Sequence, residues 1–266
     1  MAGLAVAALA LTACGGGSGS ASSSSDGSQA PATSLQQVKQ DGELVIGTEG
    51  TYRPFTYHEG GSGDLTGYDV DVARAVGDEL GVDVKFEETQ WDAIFAGLDA
   101  GRFDMIANQV SITPEREQDY DFSTPYTVSP GVVVVKDGDT SISSFADLKG
   151  KTTAQSLTSN WYDLAKQNGA NIENVEGWAQ AVTLLEQGRV DATVNDKLTY
   201  LDYEKTSGDT GLDIAATTDD EAHNAFAFRK GSGDLVKAVD AALAKLRKDG
   251  TLAKISQKYF GADVSS

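Results

Sequence analysis

The chain has 266 residues, 40% of them apolar and 8% aromatic, with 21 basic against 40 acidic side chains and a formal net charge of −19. That apolar share supports one large domain or two small lobes with their own cores. So acidic a surface repels phosphate backbones and anionic membrane faces, which excludes a nucleic-acid partner, and the single cysteine, Cys14, excludes an internal disulfide.

The first 14 residues, "MAGLAVAALALTAC", are an apolar run too short to span a bilayer and end in small residues. "LTAC" resembles a bacterial lipobox, which makes 1–14 a lipoprotein signal peptide and Cys14 the lipidated residue; no basic residue precedes the run, so the start is expected further upstream. Residues 15–34, rich in Gly and Ser, are expected to form a flexible tether. No later stretch is long and apolar enough to cross a membrane, so membrane contact is expected through the lipid alone.

From residue 35 onward, short β-branched runs alternate with amphipathic ones. "ELVIGT" predicts a strand. "YDVDVARAVGDELG" carries apolar residues at 70, 73, 76 and 80, the helical spacing, and closes on Gly81. "VDVKFEE", "WDAIFAGLDAG" and "FDMIANQ" continue as strand, helix and strand. This rhythm predicts an α/β fold with a parallel, doubly wound sheet. "YTVSPGVVVVKDG" predicts an extended run. A second cycle follows, with strands in "GKTTAQS", "NIENVEG" and "DATVND" and helices in "NWYDLAKQNGA", "WAQAVTLLEQGRV" and "KLTYLDYEKTSG". "GLDIAAT" and "NAFAFRKG" predict two further strands, and helices starting near Gly233 and Thr251 close the chain. The halves echo each other: "LDAGRFDMIAN" at 98–108 parallels "LEQGRVDATVN" at 185–195. Two related lobes explain the echo, and so does a common helix-to-strand connector.

"GYDVDVARAVGDEL", "IGTEGTYRPFTY", "QWDAIFAGLDAGRFDM", "SITPERE", "YDFSTPY", "DLKGK", "GRVDATVNDKL", "FRKGS" and "KDGTLAKISQKYFGADV" occur in this order over nearly all of 41–263. Together they resemble the family 3 extracellular solute-binding proteins, which serve polar amino-acid ABC transporters. The resemblance implies a periplasmic-binding-protein type II fold, two lobes joined by two β-hinges with the ligand in the cleft. Lobe 1 is expected over 35–127 and 226–266, and lobe 2 over 128–225. It also implies a monomer that docks on ABC permease subunits outside the cell membrane and takes a small amino acid.

The resemblance places Arg116, in the "ITPER" segment, on the ligand's α-carboxylate, where a guanidinium fork makes two charge-assisted hydrogen bonds. Ser111, just before the turn, aligns with a side chain that helps at the same end, and Asn108 and Gln109, at the end of the preceding strand, are expected in the binding site too. Thr158 and Ser159 align with a helix N-terminus that favours an anion, and Asp196 with the acid that takes the ammonium. Tyr52 and Trp91 align with positions that sandwich the side chain, and Glu49 with an acid that touches polar or cationic ends. Each admits a plainer reading: Arg116 as a solvated turn residue, Asp196, Thr158 and Ser159 as helix caps, Tyr52 and Trp91 as core. Trp161 and Trp178 read as packing residues. Two departures stand out: "QSLTSN" lacks the usual glycine, and Gln109 stands where glycine is frequent. "EGTYRPF", "QWDA", "NQVSI" and "FGADV" are most similar to the cystine-binding branch, so L-cystine is the expected ligand, with glutamine and other polar amino acids as alternatives.

His58 and His223 lie far apart in polar loops with no acidic or cysteine cluster at metal spacing. No nucleophile elbow or phosphate-binding glycine motif occurs, so no cofactor, metal or catalytic residue is expected. The rival from another class is a same-fold cleft enzyme such as a cyclohexadienyl dehydratase, with Glu49 as acid or base. A sensing domain is a third reading, disfavoured by the lipid anchor and the lack of an attached signalling segment.

Overall fold

The computed structural model describes residues 29–208 and 210–265. Cys14, the signal peptide and the tether up to residue 28 lie outside these. In chain order the elements are α1 (Leu35–Asp41), β1 (Glu43–Thr48), β2 (Thr51–Tyr52), β3 (Thr56–His58), β4 (Leu65–Thr66), α2 (Tyr68–Leu80), β5 (Asp83–Glu88), α3 (Trp91–Asp99), β6 (Met105–Ser111), α4 (Arg116–Asp119) and β7 (Tyr120–Phe122). There follow β8 (Thr127–Lys136), β9 (Thr152–Gln155), α5 (Asn160–Gln167), β10 (Asn171–Asn174), α6 (Trp178–Glu186), β11 (Ala192–Asp196), α7 (Lys197–Ser207), β12 (Leu212–Arg229), α8 (Gly233–Lys248) and α9 (Thr251–Phe260).

One sheet runs through both lobes in the order β10-β9-β11-β8-β12-β6-β1-β5, with β7 also on β12. The triplets β5-β1-β6 and β10-β9-β11 are parallel. The two long strands between them, β8 and β12, run antiparallel to each other. Each lobe has helices on both faces of its sheet. In lobe 1, Leu44, Ile46, Tyr68, Val72 and Phe228 pack under α2, α8 and α9, and Ile94, Leu98, Phe103 and Ile106 pack under α3 on the other side. In lobe 2 the run Val132–Val135 splits by parity, Val132 and Val134 to one core and Val133 and Val135 to the other. A strand covered on both faces needs such an unbroken apolar run.

Two sequence expectations are corrected here. "GLDIAAT" and "NAFAFRKG" are one strand, β12, whose polar middle pairs with residues 128–130 of β8 across register shifts. Residues 29–34, read as the end of the tether, are pinned. Thr33 is buried and donates to Asp104 Oδ1 at 3.0 Å, while Arg229 donates to the carbonyl of Pro31 at 2.9 Å and to the Thr33 hydroxyl. They lead into α1, a helix the sequence hides because Val38 is its one buried residue.

The motif "GYDVDVA" acts as a buttress. Tyr68 donates to the carbonyl of Tyr126 at 2.7 Å, and Asp71 accepts from Lys258 and Tyr259 at 2.6 and 2.8 Å. Asp69 is fully buried and accepts the backbone N–H of Gln109. The echo between the halves is a repeated device as well. Asp104 accepts from the N–H of Val45 at 3.0 Å, and Asp191 accepts from that of Thr152 at 2.7 Å, each clamping a strand entry to its neighbour.

Candidate functional site

A cleft of about 290 Å³ lies between the lobes. Its lobe-1 wall is built from three places, a strand-to-strand turn, a helix start and a bulged strand. Glu49 and Tyr52 follow β1, Trp91 opens α3, and Asn108 and Gln109 lie where β6 bulges against β12. Bulges beside sites re-aim side chains, and this one holds Gln109 at φ 51°, a left-handed conformation rare outside glycine. The Asp69 carboxylate on its N–H stabilises that turn.

Asn108 fixes Glu49 from two sides. Its carboxamide oxygen accepts the Glu49 N–H at 2.8 Å and its nitrogen donates to Glu49 Oε2 at 2.7 Å. Burial pushes the Glu49 carboxyl up to about 7, with the Asn108 hydrogen bond pulling the other way. Burial likewise pushes Asp69 up to about 7, against the pull of the Gln109 N–H.

Six of the ten cleft residues expected from sequence line the cleft: Glu49, Tyr52, Trp91, Asn108 and Gln109 from lobe 1 and Ser159 from lobe 2. The other four are not among the lining residues. Arg116 donates from Nη1 to the carbonyl of Ser111 at 2.9 Å and from Nη2 to that of Thr158 at 3.1 Å. Its guanidinium lies 5.4 Å from the Trp91 ring centroid and 5.3 Å from that of Phe95, and burial lowers its pKa to about 10, still charged at neutral pH. The Ser111 hydroxyl turns away to donate to Asn224 Oδ1 at 2.8 Å. Thr158 points to the rim, where its N–H and hydroxyl both donate to Asp92 Oδ1, at 3.1 and 2.8 Å.

Asp196 caps α7, accepting the Leu198 N–H on Oδ1 at 2.8 Å together with the Ser129 hydroxyl at 2.7 Å. Its Oδ2 faces the Gln109 carboxamide at 3.5 Å. Burial pushes its carboxyl up to about 6, offset in part by Ser129. Asp196 is thus the α7 cap through Oδ1, while Oδ2 faces Gln109.

The lobe-2 wall holds residues the sequence reading missed. Gln155, Asn160, Glu176 and Asn195 line it, and so do Trp161 and Trp178, which were read as packing alone. Trp161 packs so closely on Gly131 that a Cβ there would collide with the ring. A usable signal existed for two of these. The pairs Trp91/Trp178 and Asn108/Asn195 are each 87 positions apart, the spacing of the echo, so the echo extends to a helix-opening tryptophan and a strand asparagine at the cleft in each half.

Hydrogen bonds span the cleft on both rims. Tyr52 donates to Asn195 Oδ1 at 2.8 Å, Arg53 pairs with Asp202 at 3.2 Å, and the Asp92–Thr158 and Arg116–Thr158 bonds hold the other side. The lobes are closed on each other.

Known proteins share this architecture. Residues 44–262 match the bacterial extracellular solute-binding proteins, family 3. The chain is 55% identical over 228 residues to the L-cystine-binding protein TcyA of Bacillus subtilis (strain 168), covering 86% of this chain and 85% of that one. It is 41% identical over 234 residues to TcyJ, the L-cystine-binding protein of Escherichia coli (strain K12), covering 87% of each. Among solved structures, an ancestral arginine-binding protein bound to arginine superposes with a TM-score of 0.77 at 37% identity, covering 83% of this chain and 99% of that one. The unliganded, open L-cystine solute receptor of Neisseria gonorrhoeae gives 0.60 at 47% identity, over 88% and 100%. An ancestral amino-acid-binding protein described as a precursor of cyclohexadienyl dehydratase gives 0.78 at 35% identity, over 85% and 99%. With two lobes of this topology and a match across most of its length, the chain belongs to the bacterial extracellular solute-binding proteins of family 3.

Proposed function

We propose that the protein captures L-cystine outside the cell and delivers it to an ABC importer by closing its two lobes on the ligand. The observation that carries this reading is a closed interlobe cleft walled by Trp91, Trp161, Trp178 and Tyr52 beside Arg116, in a chain 55% identical to a protein named for L-cystine. Aromatic faces suit a disulfide-bearing side chain, offering large contact area at low entropic cost.

In this reading Arg116 turns from the carbonyls of Ser111 and Thr158 to the ligand's α-carboxylate, aided by Ser111 and the α5 start at Ser159. Asp196 Oδ2 and the Gln109 carboxamide oxygen, which is buried without a partner, take the ammonium. Lobe 1 spans 35–127 and 226–266 and lobe 2 spans 128–225, with β8 and β12 as the hinges. Cys14 carries the lipid that holds the monomer on the outer face of the membrane beside its permease subunits.

Thermal-shift measurements with L-cystine, L-glutamine, L-histidine and L-arginine test the assignment. A ligand at 100 times its Kd adds about 2.7 kcal/mol of stability, so cystine should raise the midpoint most. No shift with any amino acid overturns the reading.

A second reading has one specific observation in its favour. Glu49, with its carboxyl near 7, is tuned as a general acid or base is, and an ancestral neighbour of this fold preceded a dehydratase. Incubation with prephenate or arogenate decides it: an aromatic product establishes catalysis, and unchanged substrate leaves transport.

A further inference from the structure

The lobe-2 wall carries a group of hydrogen-bond donors that share no partner with Arg116. Helix α6 starts in the cleft, its N-cap Gly177 has no side chain to accept from the first turn, and the side chain of Gln180 accepts nothing from that turn either. Its side-chain oxygen instead accepts the Glu176 N–H at 2.9 Å. The N–H groups of Trp178, Ala179 and Gln180 therefore have no protein acceptor among the described residues.

Beside this start lies Gln155, whose carbonyl accepts the Val175 N–H at 3.1 Å, two residues before Gly177. Gln155 lines the cleft, is 4% exposed, and its Nε2 is buried without a partner. The indole N–H of Trp91, 9% exposed on the facing wall, is unpartnered too. Leaving the two buried side-chain donors unmatched is costly, and with the free amides of the α6 start they define a place for an acceptor-rich group. Acids adjoin it: Glu49 Oε1 lies 3.9 Å from where a Cβ of Gly177 would be, and Glu176 lines the same wall.

We propose that the α6 start, Gln155 and the Trp91 indole form a second head-group subsite that binds the distal carboxylate of a two-headed amino acid, with Glu49 and Glu176 binding its distal ammonium. This rests on reading the cleft as an amino-acid site. Helix N-termini favour carboxylates through their free amides and dipole. A zwitterionic head matches donors and acids placed side by side. A guanidinium offers donors only and leaves the amides and Gln155 unmatched, so the subsite discriminates against arginine although both acids would attract it.

The test is calorimetry on the full chain with L-cystine and three mixed disulfides of L-cysteine. S-(2-aminoethylthio)-L-cysteine lacks the distal carboxylate, S-(2-carboxyethylthio)-L-cysteine lacks the distal ammonium, and S-ethylthio-L-cysteine lacks both. Cystine should bind at least tenfold more tightly than either half-headed analogue, and S-ethylthio-L-cysteine should bind most weakly. Q155A should weaken cystine and shrink the penalty for removing the distal carboxylate. If the analogue lacking that carboxylate binds within threefold of cystine, the second subsite is wrong and the one-headed site stands. If none of the four binds, the amino-acid reading itself has failed and the subsite falls with it.

Discussion

Arg116, on lobe 1, donates from Nη2 to the carbonyl oxygen of Thr158, on lobe 2, at 3.1 Å. The same guanidinium that reads as the ligand's carboxylate anchor is thus also a strut across the closed cleft. Each charge-assisted hydrogen bond to a shielded carboxylate is worth about 1.5–3 kcal/mol. R116A should therefore weaken every amino-acid ligand by at least a hundredfold in calorimetry, and Arg116→Lys should recover little because it keeps the charge but not the fork. Binding of R116A within threefold of the native protein would remove the carboxylate role.

Closure should be separable from contact with ligand. Asp92 holds Thr158 through both its N–H and its hydroxyl, and it is absent from the cleft wall. D92A should favour the open form and lower apparent affinity about three- to tenfold without changing ligand preference, since affinity scales with the closed fraction. Small-angle scattering should show a smaller radius of gyration on ligand addition to the native protein. An unchanged profile at saturation would rule out a closing clamp.

Selectivity and head-group recognition should respond to different substitutions. W91A removes a stacking wall worth roughly 0.5–1.5 kcal/mol beyond its buried area, and should alter the ranking of cystine, glutamine, histidine and arginine. Asp196→Asn should weaken all four alike, because the ammonium is common to them, while α7 stays capped, since asparagine caps as well as aspartate. Competition binding separates the two patterns. A W91A protein with unchanged affinity and ranking would refute the sandwich.

The ligand-free protein should lose stability as pH rises. Glu49 and Asp69 are raised to about 7 and Asp196 to about 6. Each binds its proton more tightly folded than unfolded, so stability is full below the unfolded values near 4 and is lost as pH climbs through the folded ones. For Glu49 the loss is on the order of 2–3 kcal/mol. Thermal unfolding should show a lower midpoint at pH 8 than at pH 5, and Glu49→Gln should reduce that difference. A midpoint that rises over this range would show that these carboxylates are ionised in the fold.

The amino-acid sequence by itself determined the element rhythm, because periods of 2 and 3.6 report which face of a strand or helix is buried. It also carried the echo between the halves, since glycine, arginine and aspartate recur where each helix must cap and each strand must enter the sheet. Eight of the ten predicted cleft residues lie in the quoted motifs, and six of the ten line the cleft, at the turn after β1, the starts of α3 and α5 and the bulge of β6. Only the tertiary structure decided the rest. Gln155 and Trp161 face the cleft because lobe 2 is folded over lobe 1, a relation no local period encodes. Asp69 reads as an ordinary acid in a helix's first turn until β6 brings the Gln109 N–H against it. The polar middle of β12 reads as a loop, yet it is strand because β8 satisfies its backbone groups. Burial within an element is written in its own residues; a cleft is made by residues far apart in sequence, and their neighbours are supplied by the fold.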